Sequence, residues 1–78
     1  MSVGNEYEAR GRLEKARKLA AVLARVLDQN PSLTVEDVVQ RSTAETRRLT
    51  AEAAGVRLPS DETWDWTIEL LRDLRRGT

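Results

Sequence analysis

Three carboxylates crowd the stretch "DETWD": Asp61, Glu62 and Asp65. At helical spacing Asp61 and Asp65 are four apart and Glu62 and Asp65 three apart, so they are neighbours on one surface. Paired carboxylates can do general acid–base work or hold a hard cation. Nothing else in the sequence converges on these three. The chain has no histidine and no cysteine. The usual general base, the commonest metal ligand, the thiolate nucleophile and the disulfide are therefore all missing. There is no glycine-rich phosphate loop and no calcium-loop spacing. Acidic residues at a helix start are also what the helix dipole favours unaided. The composition argues for a protein that is not an enzyme and that needs no metal or cofactor.

A second chemistry is open to the arginines. If the chain turns near Ser42 and Thr43, "VEDVVQR" and "AETRRLTAEAA" outline a helix-turn-helix, whose second helix enters the major groove of DNA. Thr46, Arg47 and Arg48 would then stand near its base-reading end, with Arg47 or Arg48 bidentate to guanine. A basic segment, "EARGRLEKARK", would offer Arg10, Arg12, Arg17 and Lys18 to phosphates. Several features oppose this reading. The 13 basic residues are balanced by 13 acidic ones and the pI is near 6.3, against about 9 or more for a nucleic-acid footprint. Glu45 and Glu52 would face phosphates, the turn lacks glycine, and the basic segment is interleaved with Glu8 and Glu14. The bland alternative is a solvated helix face on which Arg41, Arg47 and Arg48 pair with Glu45 and Glu52.

The third feature is Trp64 and Trp66, two apart in "PSDETWDWTIELL". Residues two apart on a helix diverge by about 200°. The apolar arc from Trp64 through Ile68, Leu71, Leu74 and Leu70 to Trp66 spans roughly 200°, too wide for one groove. Two sub-faces resolve this. Trp64, Ile68 and Leu71 would fill the core. Trp66 and Leu70, with Leu74 at the border, would face something else, and tryptophan is the residue most typical of interface hot spots. The bland reading has neighbouring helices cover both sub-faces, or leaves Trp66 half-exposed.

The elements that must carry these residues are helices. Punctuation at "DQNPS" and "GVRLPS" divides the 78 residues into three helical segments, at about 9–28, 35–54 and 61–76, after a frayed N-terminus over residues 1–8. In the first, Leu13, Ala16, Leu19, Ala20, Val22, Leu23, Val26 and Leu27 fall within an arc of roughly 160°, wide enough to touch more than one neighbour. Gly11 suggests a start after it. In the second, Thr34 is the N-cap with Asp37 three residues on, and Gly55 is the stop. If that helix is continuous, Val35, Val38, Val39, Leu49, Ala53 and Val56 share one face, with Ser42 and Thr46 in its middle. In the third, Ser60 caps and Arg72, Arg75 and Arg76 suit the C-terminal end.

The fold expected is an all-α single domain, a small three-helix bundle, whose middle helix either runs on or breaks near Ser42 into a helix-turn-helix-like pair. A chain this short has a thin stability margin and gains from packing against a copy or partner. The first functional expectation is a non-enzymatic interaction or regulatory module. It would self-associate or dock on a larger partner through Trp66, Leu70 and Leu74, with Leu19, Val22 and Val26 of the first helix. The alternative is a small dimeric DNA-binding regulator using Thr46, Arg47, Arg48, Arg10, Arg12, Arg17 and Lys18. No apolar run approaches the ~20 residues of a membrane span, and nothing resembles a signal peptide, so the cytoplasm is the default location.

Overall fold

The computed structural model describes the backbone of residues 3–76 and the side chains of residues 10–76. Four helices follow one another: α1 (Val3–Gln29), α2 (Val35–Gln40), α3 (Ala44–Ala54) and α4 (Asp61–Arg76). No strand occurs among the described residues.

α1 buries Ala16, Leu19, Ala20, Leu23 and Leu27, spaced three and four apart, which is one face of a helix. It runs through Gly11 and starts at Val3, before that glycine and not after it. It ends where the Asn30 side-chain amide donates to the Val26 carbonyl at 2.8 Å and Pro31 forbids a further ladder bond.

The middle segment is divided. Thr34 caps α2 with a full capping box: the Asp37 N–H donates to Thr34 Oγ1 at 3.2 Å and the Thr34 N–H to Asp37 Oδ2 at 2.9 Å. Three residues, 41–43, then turn the chain. Ser42 Oγ donates to the Val38 carbonyl at 2.8 Å, and Thr43 adopts an extended conformation and caps α3 by accepting from the Thr46 N–H at 3.2 Å. Serine and threonine side chains offer the backbone partners that compete with a helical ladder, and two in succession end α2 here. Gly55 closes α3 in the left-handed region at φ 71°, where a residue with a Cβ is strained.

The break resets the helical phase. Drawn as one helix, the segment assigns Leu49 and Ala53 to the buried face. In the structure Leu49 is 52% exposed, Val39 36% exposed and Ala53 exposed. α3 instead turns Arg47, Thr50, Ala51 and Ala54 inward, a clean i, i+3, i+4, i+7 stripe.

In α4, Ser60 caps, accepting from the Thr63 N–H at 3.2 Å. Ion pairs define the topology. Arg12, in the first half of α1, meets Glu62 at the start of α4, and Arg75 near the end of α4 meets Asp28 near the end of α1 at 2.5 Å. α1 and α4 therefore run parallel, packed along much of their length, with α2 and α3 returning between them. Arg72 joins Glu36 of α2 at 3.0 Å. The core between them holds Ala20, Leu23, Leu27, Trp64, Ile68 and Leu71, with Leu33, Val35 and Val38 packed against it. Three buried threonines complete the interior: Thr50, Thr63 and Thr67. Thr50 and Thr67 donate to carbonyls four residues back at 2.7 and 2.9 Å, and Thr63 meets Ser60 Oγ at 3.0 Å, so burial leaves none of the three hydroxyls unpaired.

Candidate functional site

The two tryptophans diverge as their spacing requires. Trp64 is 2% exposed and sits in the core with Ile68 and Leu71. Trp66 is half-buried. It lines a groove of about 370 Å³ between α1 and α4, floored by Leu13, Trp66 and Leu70 and edged by Arg10, Glu69 and Asp73. Leu74, one turn beyond Leu70, is 53% exposed.

The residues of α1 expected on the same surface separate from it. Leu19 is fully buried and belongs to the core. The wide arc of α1 is wide because the helix packs against two neighbours, α4 and α3. Val22 is half-buried. Val26 is 38% exposed but lines a different groove, of about 220 Å³, with Leu23, Leu33, Val38 and Leu49. Trp66 and Leu70 thus share their groove with Leu13 rather than with Val22 and Val26. Leu13 was legible as apolar; what singles it out is that α4 leaves it half-covered.

The turn at residues 41–43 has helix-turn-helix proportions, but the side chains of α3 are differently committed. Arg47 points inward. Its guanidinium carbon lies 5.5 Å from the centre of the Trp64 ring, its Nη1 meets Asp61 at 2.5 Å, and its side chain is 24% exposed. It joins α3 to α4. Arg48 is exposed and paired with Glu52 at 3.0 Å, four residues on. Thr46 is half-buried, and its hydroxyl lies 3.2 Å from that of Thr43. In the basic segment Arg12 is bound to Glu62 and Arg17 lies 3.5 Å from Glu14, while Arg10 and Lys18 are exposed.

The acidic cluster is dispersed by the same contacts. Asp61 answers Arg47 and Glu62 answers Arg12, while Asp65 is exposed. Among the described residues no group of three or more acidic side chains is arranged to hold a metal ion, and no helix is long and apolar enough to cross a membrane. The groove offers apolar shape with charge at its border. Comparison with protein-family models, with curated proteins and with solved structures gives no match for this chain.

Proposed function

We propose that this chain is a non-enzymatic helical docking module, acting in the cytoplasm, whose α1–α4 groove takes a helix from a protein partner. The single observation that carries the reading is Trp66: a large aromatic ring held half-covered beside Leu13 and Leu70, while Trp64 alone supplies the tryptophan of the core. A rigid aromatic in an apolar groove with a charged rim is the usual anatomy of an interface centre. Its work would be assembly or regulation by occupying a surface.

A photo-crosslinking phenylalanine analogue at position 66, in the organism the chain comes from, tests this. We expect a discrete protein adduct that disappears when Leu70→Ser is added and that the same probe at exposed Arg57 does not give. No adduct, or equal labelling from both positions, ends the proposal.

A second reading, a small DNA-binding regulator, is favoured by the three-residue turn between α2 and α3 and by the exposure of Arg41 and Arg48 beside it. Against it stand the balanced charge and the commitment of Arg47 to Trp64 and Asp61. Duplex DNA titrated at low salt decides: absence of binding where counterion release is most favourable removes this reading.

A further inference from the structure

We propose that this chain opens at residues 41–43 and exchanges halves with a second copy, α2 and α3 joining into one continuous helix in each. The closed fold leaves apolar residues of this segment outside: Val39 is 36% exposed, Leu49 52% exposed and Ala53 exposed. With respect to a straight helix they are not scattered. Stepped at about 100° per residue through 35–54, they share one arc of roughly 100° with Val35 and Val38. Small Ser42 and Thr46 stand at its centre, and no charged residue falls within it. The exposed residues belong to an amphipathic stripe that only the joined helix completes.

The break that interrupts this stripe is small. The Arg41 N–H still donates to the Asp37 carbonyl at 3.0 Å and the Arg47 N–H to the Thr43 carbonyl at 3.1 Å, both four residues back as in a helix. The bond from Ser42 Oγ to the Val38 carbonyl is one that serine also makes inside helices. The departure lies at Ser42 and Thr43: the Thr43 N–H turns back to the Arg41 carbonyl at 2.8 Å. Thr43 has φ −83°, close to the helical value, and ψ 168° against about −42° in a helix. No glycine or proline lies in 35–54 to keep the two segments apart.

Opening there separates α1 and α2 from α3 and α4. What holds these halves together is remade between copies: Arg12–Glu62, Asp28–Arg75, Glu36–Arg72 and the core that packs Leu23 and Leu27 with Trp64 and Leu71. Arg47 keeps Trp64 and Asp61 within its own half. The contacts given up are the Trp64 bond to Ser42 and the Thr43 cap. The gain is a junction where the two straight helices cross at Ser42 and Thr46, small enough for close approach, with Val39 and Leu49 beside the crossing. Exchange of an identical element is a low-cost route to a dimer, and a short connection favours it.

Sedimentation across a hundredfold concentration range, after prolonged incubation, tests the proposal, with circular dichroism as the control for folding. We expect the native chain to pass from 8.8 kDa to twice that mass. Ala44→Pro should remain helical and stay at the mass of one chain. Position 44 is the first residue of α3 and follows an extended Thr43, where proline is welcome, whereas a helix running through 44 is broken by it. Ser42→Ala with Thr43→Ala removes the acceptor and the cap and raises helix propensity, so it should dimerise at a concentration at least tenfold lower. Chains carrying Asp28→Cys and Arg75→Cys, mixed and treated with a short bismaleimide, should give a cross-chain adduct, since exchange sets these positions side by side in different copies. A native chain of 8.8 kDa at every concentration overturns the proposal. So does a two-chain species that a helical Ala44→Pro retains, or one without the cross-chain adduct. If Ala44→Pro loses helicity, the Ser42→Ala, Thr43→Ala chain and the adduct decide. The crosslink at position 66 is independent of all these outcomes, because the α1–α4 groove re-forms between exchanged halves.

Discussion

The indole N–H of Trp64 donates to Ser42 Oγ at 3.0 Å, and that hydroxyl donates in turn to the Val38 carbonyl at 2.8 Å. One serine thus ends α2, serves a carbonyl of its last turn and satisfies the polar atom of the largest core side chain. A buried indole N–H without an acceptor is costly. The break at residues 41–43 and the position of Trp64 are two sides of one arrangement.

Ser42→Ala is therefore expected to destabilise the fold by about 1–3 kcal/mol, the usual range for stranding a buried donor. Trp64→Phe in the Ser42→Ala background should lose less than the sum of the two single changes, because the phenyl ring has no donor to strand. Urea denaturation of the four proteins measures this coupling. Strict additivity would mean the 3.0 Å contact contributes nothing.

Arg47 and Arg48 are sequence neighbours with opposite roles. Arg47→Ala should lose about 1–2 kcal/mol, through the stacked guanidinium and the packing of its stem on Trp64. The Asp61 partner adds little, since it is 92% exposed and exposed pairs are weak. Arg48→Ala should stay within about 0.5 kcal/mol of the parent. Thermal unfolding reports both; equal effects would contradict the inward orientation of Arg47.

Leu19 and Val26 make a similar contrast on α1. Leu19→Ala opens a cavity in a fully buried position and should lose about 2–5 kcal/mol. Val26→Ala removes a side chain that is 38% exposed and should lose less than about 1 kcal/mol. Denaturant midpoints distinguish them. A small effect at Leu19 would return it to the surface on which the sequence placed it.

The glycines at positions 11 and 55 should respond with opposite signs. A Cβ at Gly11 meets nothing within 4 Å, and the residue lies inside α1. Gly11→Ala should gain about 0.5–1 kcal/mol from helix propensity alone. Gly55→Ala also meets no atom, but at φ 71° it should lose roughly 1 kcal/mol or more. Calorimetric midpoints moving in the same direction for both would exclude this account.

Helix ends and the α4 core were legible because they rest on local chemistry. Thr34 with Asp37, Ser60 and Gly55 each satisfy or release backbone groups within a few residues of themselves. Trp64, Ile68 and Leu71 follow from helical period alone. Three things were not legible. Period cannot say whether Ser42 and Thr43 break a helix or decorate it, because the decision depends on Trp64, 22 residues away. Once the phase resets at Thr43, every burial expectation drawn through it shifts, which is how Leu49 came to be exposed and Thr50 buried. Leu19 and Val26 looked equivalent on α1, since a helical wheel shows an apolar arc without showing which neighbour covers which part of it. At the groove, the apolar character of Leu13, Trp66 and Leu70 was readable, and their meeting across two parallel helices was not.

The parallel run of α1 and α4 bears on how the molecule carries mechanical load. The chain rises in α1, returns through α2 and α3 and rises again in α4, so residues 3 and 76 lie toward opposite ends of the bundle. Tension applied between them does not peel one helix from another a turn at a time. It slides α1 along α4 in shear, loading Arg12–Glu62, Arg75–Asp28 and the apolar seam between them together. Contacts loaded together yield at higher force than the same contacts loaded in sequence.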